Sequence, residues 1–361
     1  MEDRTWVEIS KEALKHNVGV VRGLLNPKTK LMAVIKANAY GHGFIETGRL
    51  FVTYGVDWLA VFTLEDALSL RKAKIKAPIL VLGIVTPKYF AMAVTHQICL
   101  TICNQEYLAL IPPNLAVHIK VDTGLSRQGV TISDLPEFIQ HIPKNIIVGG
   151  IYSHFADAEN LYDKSFSLEQ IALLKQARAI AIEAGYSNLL THLVATDGLL
   201  MYPEAEFDMV RAGIMLYGVP PSKDFVSKFE LLGLRPALSW KTRISQLKSV
   251  PKGATVGYGR TEKAPRGGRL AVLPIGYWDG YPWALASRGY VAIRGHRCKV
   301  MGRVSMNIIM VDVSSVPGAQ IGDEAELIGM RIPALELAES AHTISYEIIT
   351  RINPWIPRKY V

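Results

Sequence analysis

Residues with reactive side chains recur at one kind of place in this chain, within or just after short apolar runs. Lys36 follows the apolar stretch 31–35 and precedes the small residues Ala37, Asn38 and Ala39. Lys120 and Asp122 close the stretch that begins at Ala116, and Arg127 stands just beyond. His154, Thr196 and Arg211 hold comparable positions in three later stretches. A lysine among apolar residues is read in two ways: a side chain snorkelling to solvent, or a desolvated amine. Desolvation disfavours the charged form, and a neutral amine is suited to forming a Schiff base with an aldehyde. The small residues after Lys36 leave room for a planar ring against the backbone. Taken singly, the others also have ordinary roles, an arginine as an ion-pair partner and a histidine as a satisfied core residue.

Such residues need elements that bring them to one place. The runs 31–36, 58–62, 78–83, 98–103, 116–122, 146–154, 189–196 and 209–218 are rich in Val, Ile and Leu. That is the pattern of strands buried on both faces. Helical patterns such as 63–73 and 165–185 lie between them, the second with a capping serine, an early glutamate and a glycine stop. Parallel strands joined by helices are the natural solution. Eight runs are the number that closes a (β/α)8 TIM-type barrel, and no G-x-G-x-x-G opens a helix to favour a doubly wound sheet. In a barrel the reactive groups would converge at the C-terminal mouth of the strands.

After the stretch 219–236 the texture changes to strand, turn, strand, with no long helical pattern until 334–341. The expected organisation is a barrel over 11–230 and a mostly-β domain over 236–361, with residues 1–10 adding a strand to the latter. A length of 361 residues suits two domains. No apolar run approaches the roughly 20 residues of a membrane span, and the start, MEDRTWVEISKEAL, lacks the apolar centre of a secretory signal. Cys99, Cys103 and Cys298 are too few for a disulfide framework and match no zinc spacing. A cytoplasmic protein without a metal is therefore expected. The formal charge is +8, but the lysines and arginines are scattered. The excess points at most to small anionic ligands, and nucleic-acid binding ranks last.

The segments AVIKANAYGHG, KVDTGLSRQG, VRAGIMLYG, VGYGRTE, PIGYWDGY and VMGRVSMN occur in that order. Together they resemble the alanine racemase family, along essentially the whole chain from Trp6 to the TISYE segment. The resemblance implies a pyridoxal-phosphate enzyme that racemises alanine, supplying D-alanine for peptidoglycan. It implies that Lys36 carries the cofactor and is one of two catalytic bases, the other being Tyr258. Tyr40, Tyr346, the Thr196 hydroxyl and the backbone at Gly213 and Ile214 would hold the phosphate. Arg211 would contact the ring nitrogen, His154 would stack on the ring, and Arg127 would bind the ring hydroxyl beside the substrate. Lys120 matches a lysine carbamylated in some members; a free ammonium beside Arg127 would repel it and a carbamate would attract it. Tyr277 would line the corridor by which substrate enters, its crowding favouring alanine over larger amino acids.

Tyr258 and Met306, whose backbone N–H would bind the substrate carboxylate, belong to the β domain and by resemblance reach the barrel of a partner subunit. A homodimer with composite sites follows. The family often has asparagine-serine where Ala195 and Thr196 stand, and cysteine and aspartate where Ser305 and Asn307 stand. These departures bear on substrate range and rate more than on the reaction. Three other readings fit less well. A decarboxylase on the same plan has no need of a second base, and a broader racemase, acting for example on serine, is more in keeping with export. A non-catalytic pyridoxal-phosphate carrier lacks the β domain.

Overall fold

The computed structural model of the protein describes residues 3–160, 162–264 and 266–361. The chain divides into two units: Val18–Lys36 with Ile45–Leu216, and the N-terminal stretch ending at Asn17 with Ala37–Phe44 and Tyr217–Val361. Strand β1 (Thr5–Ile9) belongs to the second unit.

In the first unit the eight apolar runs become eight strands: β2 (Lys30–Val34), β3 (Trp58–Val61), β4 (Ile79–Val81), β5 (Cys99–Ile102), β6 (Ala116–Lys120), β7 (Ile147–Tyr152), β8 (Leu190–His192) and β9 (Met209–Ala212). They run parallel in the order β8-β7-β6-β5-β4-β3-β2-β9. The ends of that order meet: Arg211 N donates to Val194 O at 3.0 Å and Asp208 N to Thr191 O at 3.1 Å. The result is a nearly closed (β/α)8 barrel. Its strands are apolar because both faces are covered; Leu31, Leu59, Leu80, Leu100, Val117 and Ile151 are all fully buried. Side chains alternate across a strand, so His118 shares a face with Lys120, and Gly150 with Tyr152.

Helix Leu64–Lys72 starts where the Thr63 side chain accepts from Asp66 N at 3.1 Å. Helix Ser165–Glu183 begins differently from the sequence pattern: Ser165 lies inside the first turn, and the exposed Asp163 carboxylate accepts from both its N–H and its hydroxyl.

The second unit is mostly β. Six strands form one sheet in the order β16-β15-β18-β10-β1-β19, and three form another, β11-β14-β17. Their bounds are β10 (Leu238–Arg243), β11 (Gln246–Val250), β14 (Gly268–Leu273), β15 (Tyr290–Ile293), β16 (His296–Lys299), β17 (Ile309–Asp312), β18 (Glu324–Ile328) and β19 (Arg358–Tyr360). A two-stranded ribbon joins β12 (Thr255–Val256) to β13 (Glu262–Lys263). Strand β1 lies between β10, antiparallel, and β19, parallel. Two helices follow β18, Ala334–Ser340 and Ser345–Thr350; only the first showed as a periodic pattern, because six residues are too short to display one. Among the described residues no helix is long and apolar enough to cross a membrane.

Candidate active site

Lys36 lies two residues past the end of β2, and Lys120 is the last residue of β6. Lys36 is exposed, yet protein crowds its ammonium; that burial, and the charges of Arg127 and Arg211, lower its pKa. Lys120 is buried, its Nζ 4.6 Å from the centroid of the Tyr152 ring. Burial lowers its pKa well below the usual lysine range, and Arg211 and Arg127 push the same way against the weaker pull of Asp122. Asp122 faces its own loop, where Oδ1 accepts from Gly124 N at 2.9 Å and Ser126 N at 3.1 Å. Arg127 is exposed on that loop. Among the described residues none of Lys36, Lys120, Arg127 or Arg211 enters an ion pair. Four cations gathered with no ion pair and only the weaker pull of Asp122 on Lys120 make a site that an anion would stabilise.

Arg211, on β9, is 4% exposed, and its hydrogen-bond partners among the described residues are all neutral. Its Nη1 lies 2.7 Å from His192 Nδ1. Its Nη2 faces Ser153 O at 2.8 Å, Leu193 O at 2.8 Å and His154 Nδ1 at 3.0 Å. Burial lowers the pKa of Arg211 to about 10. Burial and the Arg211 charge likewise push His154 and His192 well below the usual histidine range, so both are neutral at pH 7. Behind them His118 Nδ1 lies 2.9 Å from His192 Nε2, and the His192 ring stacks on Tyr152 at 4.6 Å. The Tyr152 hydroxyl meets Thr101 Oγ1 at 2.7 Å. His118 and His192 were not singled out from the sequence because each sits inside an apolar strand. The signal available was parity: His118 is two residues before Lys120, on the same face.

Thr196 opens helix Thr196–Met201 after β8. Its Oγ1 accepts from Met215 N at 3.4 Å, which brings it to the turn Ile214–Tyr217 that follows Gly213. Ile214 is buried there. Thr196, Gly213 and Ile214 are therefore assembled together, as are Lys36, Lys120, Arg127, His154 and Arg211.

The residues after Lys36 turn the wrong way for L-amino acids. Ala37, Asn38, Ala39 and Tyr40 have φ of 53°, 56°, 51° and 52°, one turn of left-handed helix. Its surroundings in the second unit hold it. The Tyr40 ring lies 5.0 Å from Tyr217 and 6.0 Å from Tyr346. Gly41 has φ 82°, and a Cβ there would lie 2.1 Å from Ile349 O. Arg358 Nε donates to Gly41 O at 3.0 Å, while its terminal nitrogens donate to the carbonyls of Ile352, Asn353 and Ile356. The Tyr360 hydroxyl lies 2.8 Å from His42 O.

The remaining candidates of the second unit lie on loops. Tyr258, 71% exposed, sits between the ribbon strands β12 and β13 and is flanked by Gly257 and Gly259, both of positive φ. Met306 is also exposed, and its carbonyl accepts from Trp278 N at 3.0 Å, while Ser305 O accepts from Tyr277 N at 3.1 Å. Tyr277 also borders a cavity of about 550 Å³ shared with Tyr281, Trp283, Thr343 and Glu347. Among the described residues no group of three or more His, Cys, Asp or Glu could hold a metal ion.

A nearly closed parallel barrel with a cluster of cations at the C-terminal ends of its strands, followed by a mostly-β unit, defines a two-domain barrel enzyme suited to an anionic ligand. Family models describe it further: the alanine racemase N-terminal domain matches residues 9–221 and the alanine racemase C-terminal domain matches residues 237–360. The chain belongs to the alanine racemase family and is an enzyme of that family. It is 38% identical to the alanine racemase of Halothermothrix orenii over 99% of this chain and 96% of that one. It is 39% identical to the alanine racemase of Carboxydothermus hydrogenoformans over 99% of both chains. Among solved structures, alanine racemase from D-cycloserine-producing Streptomyces lavendulae superposes with a TM-score of 0.93 at 32% identity, covering 100% of this chain and 98% of that chain. The Clostridium difficile 630 alanine racemase in complex with cycloserine gives a TM-score of 0.91 at 30% identity, covering 100% of this chain and 96% of that chain.

Proposed function

We propose that the protein interconverts L- and D-alanine with pyridoxal 5′-phosphate as cofactor, supplying D-alanine for peptidoglycan. The observation that carries this reading is the cluster of Lys36, Lys120, Arg127 and Arg211, which holds no ion pair among the described residues and includes one accessible amine of lowered pKa. The residues fit the cofactor: a nucleophilic amine, cations for a phosphate and a phenolic oxygen, and Arg211, a donor that cannot protonate a ring nitrogen at neutral pH. When bound, pyridoxal phosphate supplies an electron sink that acidifies the Cα–H of an amino acid. The resemblance assigns the phosphate to the Thr196 hydroxyl, the Gly213–Ile214 backbone, Tyr40 and Tyr346. It assigns the ring to His154, Arg127 and Arg211, with Lys120 behind Arg127.

Racemisation takes a proton from one face of Cα and returns one to the other, which two bases accomplish more simply than one. Lys36 holds the proton at Nζ on one face. Tyr258 of the partner subunit holds it at its phenolic oxygen on the other, and Met306 of the partner subunit donates its backbone N–H to the substrate carboxylate. The exposure of Tyr258 and Met306 on loops supports a homodimer with composite sites. Tyr277 lines the way in and restricts the side chain to that of alanine.

The test is incubation of the pyridoxal-phosphate-loaded protein with L-alanine in deuterated water, following optical rotation and Cα deuterium together. Decay of the rotation to zero with deuterium entering Cα is expected. Deuterium without loss of rotation would mean one base alone, and no change in either would sink the racemase reading.

A further inference from the structure

Behind Arg211, which the proposed function places on the cofactor ring, lie two buried side chains with no part in the reaction so far, His192 and His118. We propose that His192 and His118 are positioning residues that act through Arg211, forming a tautomer relay of neutral acceptors that holds its guanidinium without cancelling its charge. Where it concerns the cofactor, this inference rests on the function proposed above.

The Arg211 guanidinium has N–H donors and no acceptor. His192 Nδ1, 2.7 Å from Arg211 Nη1, must therefore accept. An imidazole that accepts at Nδ1 and stays neutral carries its proton on Nε2. His192 Nε2 is 2.9 Å from His118 Nδ1, so it donates there and His118 accepts at Nδ1. His118 in turn carries its proton on Nε2, and among the described residues that buried atom has no hydrogen-bond partner. The row ends there, beside the indole of Trp58, whose centroid is 5.4 Å away. His154 Nδ1, 3.0 Å from Arg211 Nη2, accepts by the same logic and presents its proton on Nε2. One arginine thus fixes the proton position on three imidazoles, one of them not in contact with it.

Two further observations support a built relay. Both rings are fully buried, and burial with the Arg211 charge drives His118 down to about 3 and His192 well below the usual range, so neither protonates at neutral pH. The barrel also makes room for the outer ring. A Cβ on Gly150 would lie 2.7 Å from His118 Nδ1 and Cε1, and one on Gly149 would lie 3.4 Å from Nε2. A carboxylate in place of His192 would satisfy the same guanidinium N–H but cancel its charge; a neutral acceptor leaves that charge whole for the ligand.

The experiment is long-range proton–nitrogen NMR on the full-length protein labelled with 15N-histidine, with and without pyridoxal phosphate. Neutral Nε2–H tautomers are expected at His118, His192 and His154 in both samples. A proton on Nδ1 of His118 or His192, or a charged ring at neutral pH, would overturn the relay. Replacing the donor by an acceptor, Arg211→Glu, is expected to flip both His192 and His118 to Nδ1–H; a folded variant in which His118 does not flip refutes transmission. If that variant does not fold, His118→Phe and His118→Asn decide. The asparagine amide oxygen can stand where Nδ1 accepts, and phenylalanine cannot. His118→Phe is expected to lower kcat about fivefold, the size of one neutral hydrogen bond, with KM within about twofold and a shifted cofactor absorption band, and His118→Asn to restore both. Equal behaviour of the two variants would make His118 a packing residue only. The ligand-free tautomers stand independently of whether the protein racemises alanine.

Discussion

Lys36 and Lys120 bear one kind of charge in a place where neighbouring arginines outweigh the pull of Asp122, and their two positions make different demands. As the base proposed above, Lys36 would need its lowered pKa, because a proton-accepting amine must be neutral part of the time. Lys36→Ala is expected to reduce racemisation by about a thousandfold or more, read as the rate of rotation loss with L-alanine. Lys120, buried over Tyr152, carries a cost in the ligand-free protein. Its folded pKa lies well below its ordinary 10.5, so between those two values the unfolded chain binds more protons than the folded one. Stability therefore rises with pH through that window and is least at its lower end. Lys120→Met is expected to raise the urea midpoint, by more at about pH 7 than at about pH 9.5. An equal gain at both would show that charge is not the reason, and carbamylation of Lys120 would itself erase the difference. Lys36 and Lys120 were legible because a lysine interrupting Val and Ile is conspicuous. His118 and His192, the acceptors behind Arg211, were not, since a histidine inside a strand reads as an ordinary core residue.

Among the elements, the eight barrel strands could be read from composition, because strands covered on both faces must be apolar throughout. The left-handed turn Ala37–Tyr40 could not. In KANAY only Asn38 is of a type that readily takes left-handed backbone, and the conformation of the rest is supported by partners far along the chain: Ile349 against Gly41, and Arg358 on its carbonyl. The short helix holding Tyr346 was hidden for the same reason, its six residues being placed by packing. Each L-residue held left-handed costs about 1–2 kcal/mol. Ala37→Gly is expected to stabilise the protein by about 1 kcal/mol, and Ala37→Val to destabilise it by about 2 kcal/mol, both measured by urea unfolding. Gly41→Ala drives a Cβ to 2.1 Å from a backbone oxygen and is expected to cost more than either.

For the molecule as a whole, the proposed composite sites make a quantitative demand on mixtures. Lys36→Ala and Tyr258→Phe homodimers are each expected to be impaired. Unfolded and refolded together in equal amounts, half of the dimers pair one of each, and every such dimer has one site with Lys36 and Tyr258 both intact. About a quarter of the native activity is expected to return. No recovery would mean that both residues serve the site of a single chain. The sequence shows the two-unit plan through its change of texture after the stretch 219–236 but gives no direct sign of subunit number, because Tyr258 and Met306 look alike whether they face their own barrel or another.

The clamp between Arg358 and Gly41 joins positions 317 residues apart. The turn that follows Lys36 is thus made long before the arginine that secures it. Until residues 358–360 emerge, β1 lacks its parallel neighbour and the strained turn lacks the guanidinium that caps the Gly41 carbonyl, leaving it only its packing on Tyr217, Tyr346 and Ile349. A partly synthesised chain, or one clipped between the helix Ser345–Thr350 and β19, keeps every barrel strand and its lysine. It loses the clamp on the Gly41 carbonyl, so the strained turn is expected to be held less tightly there than in the intact chain.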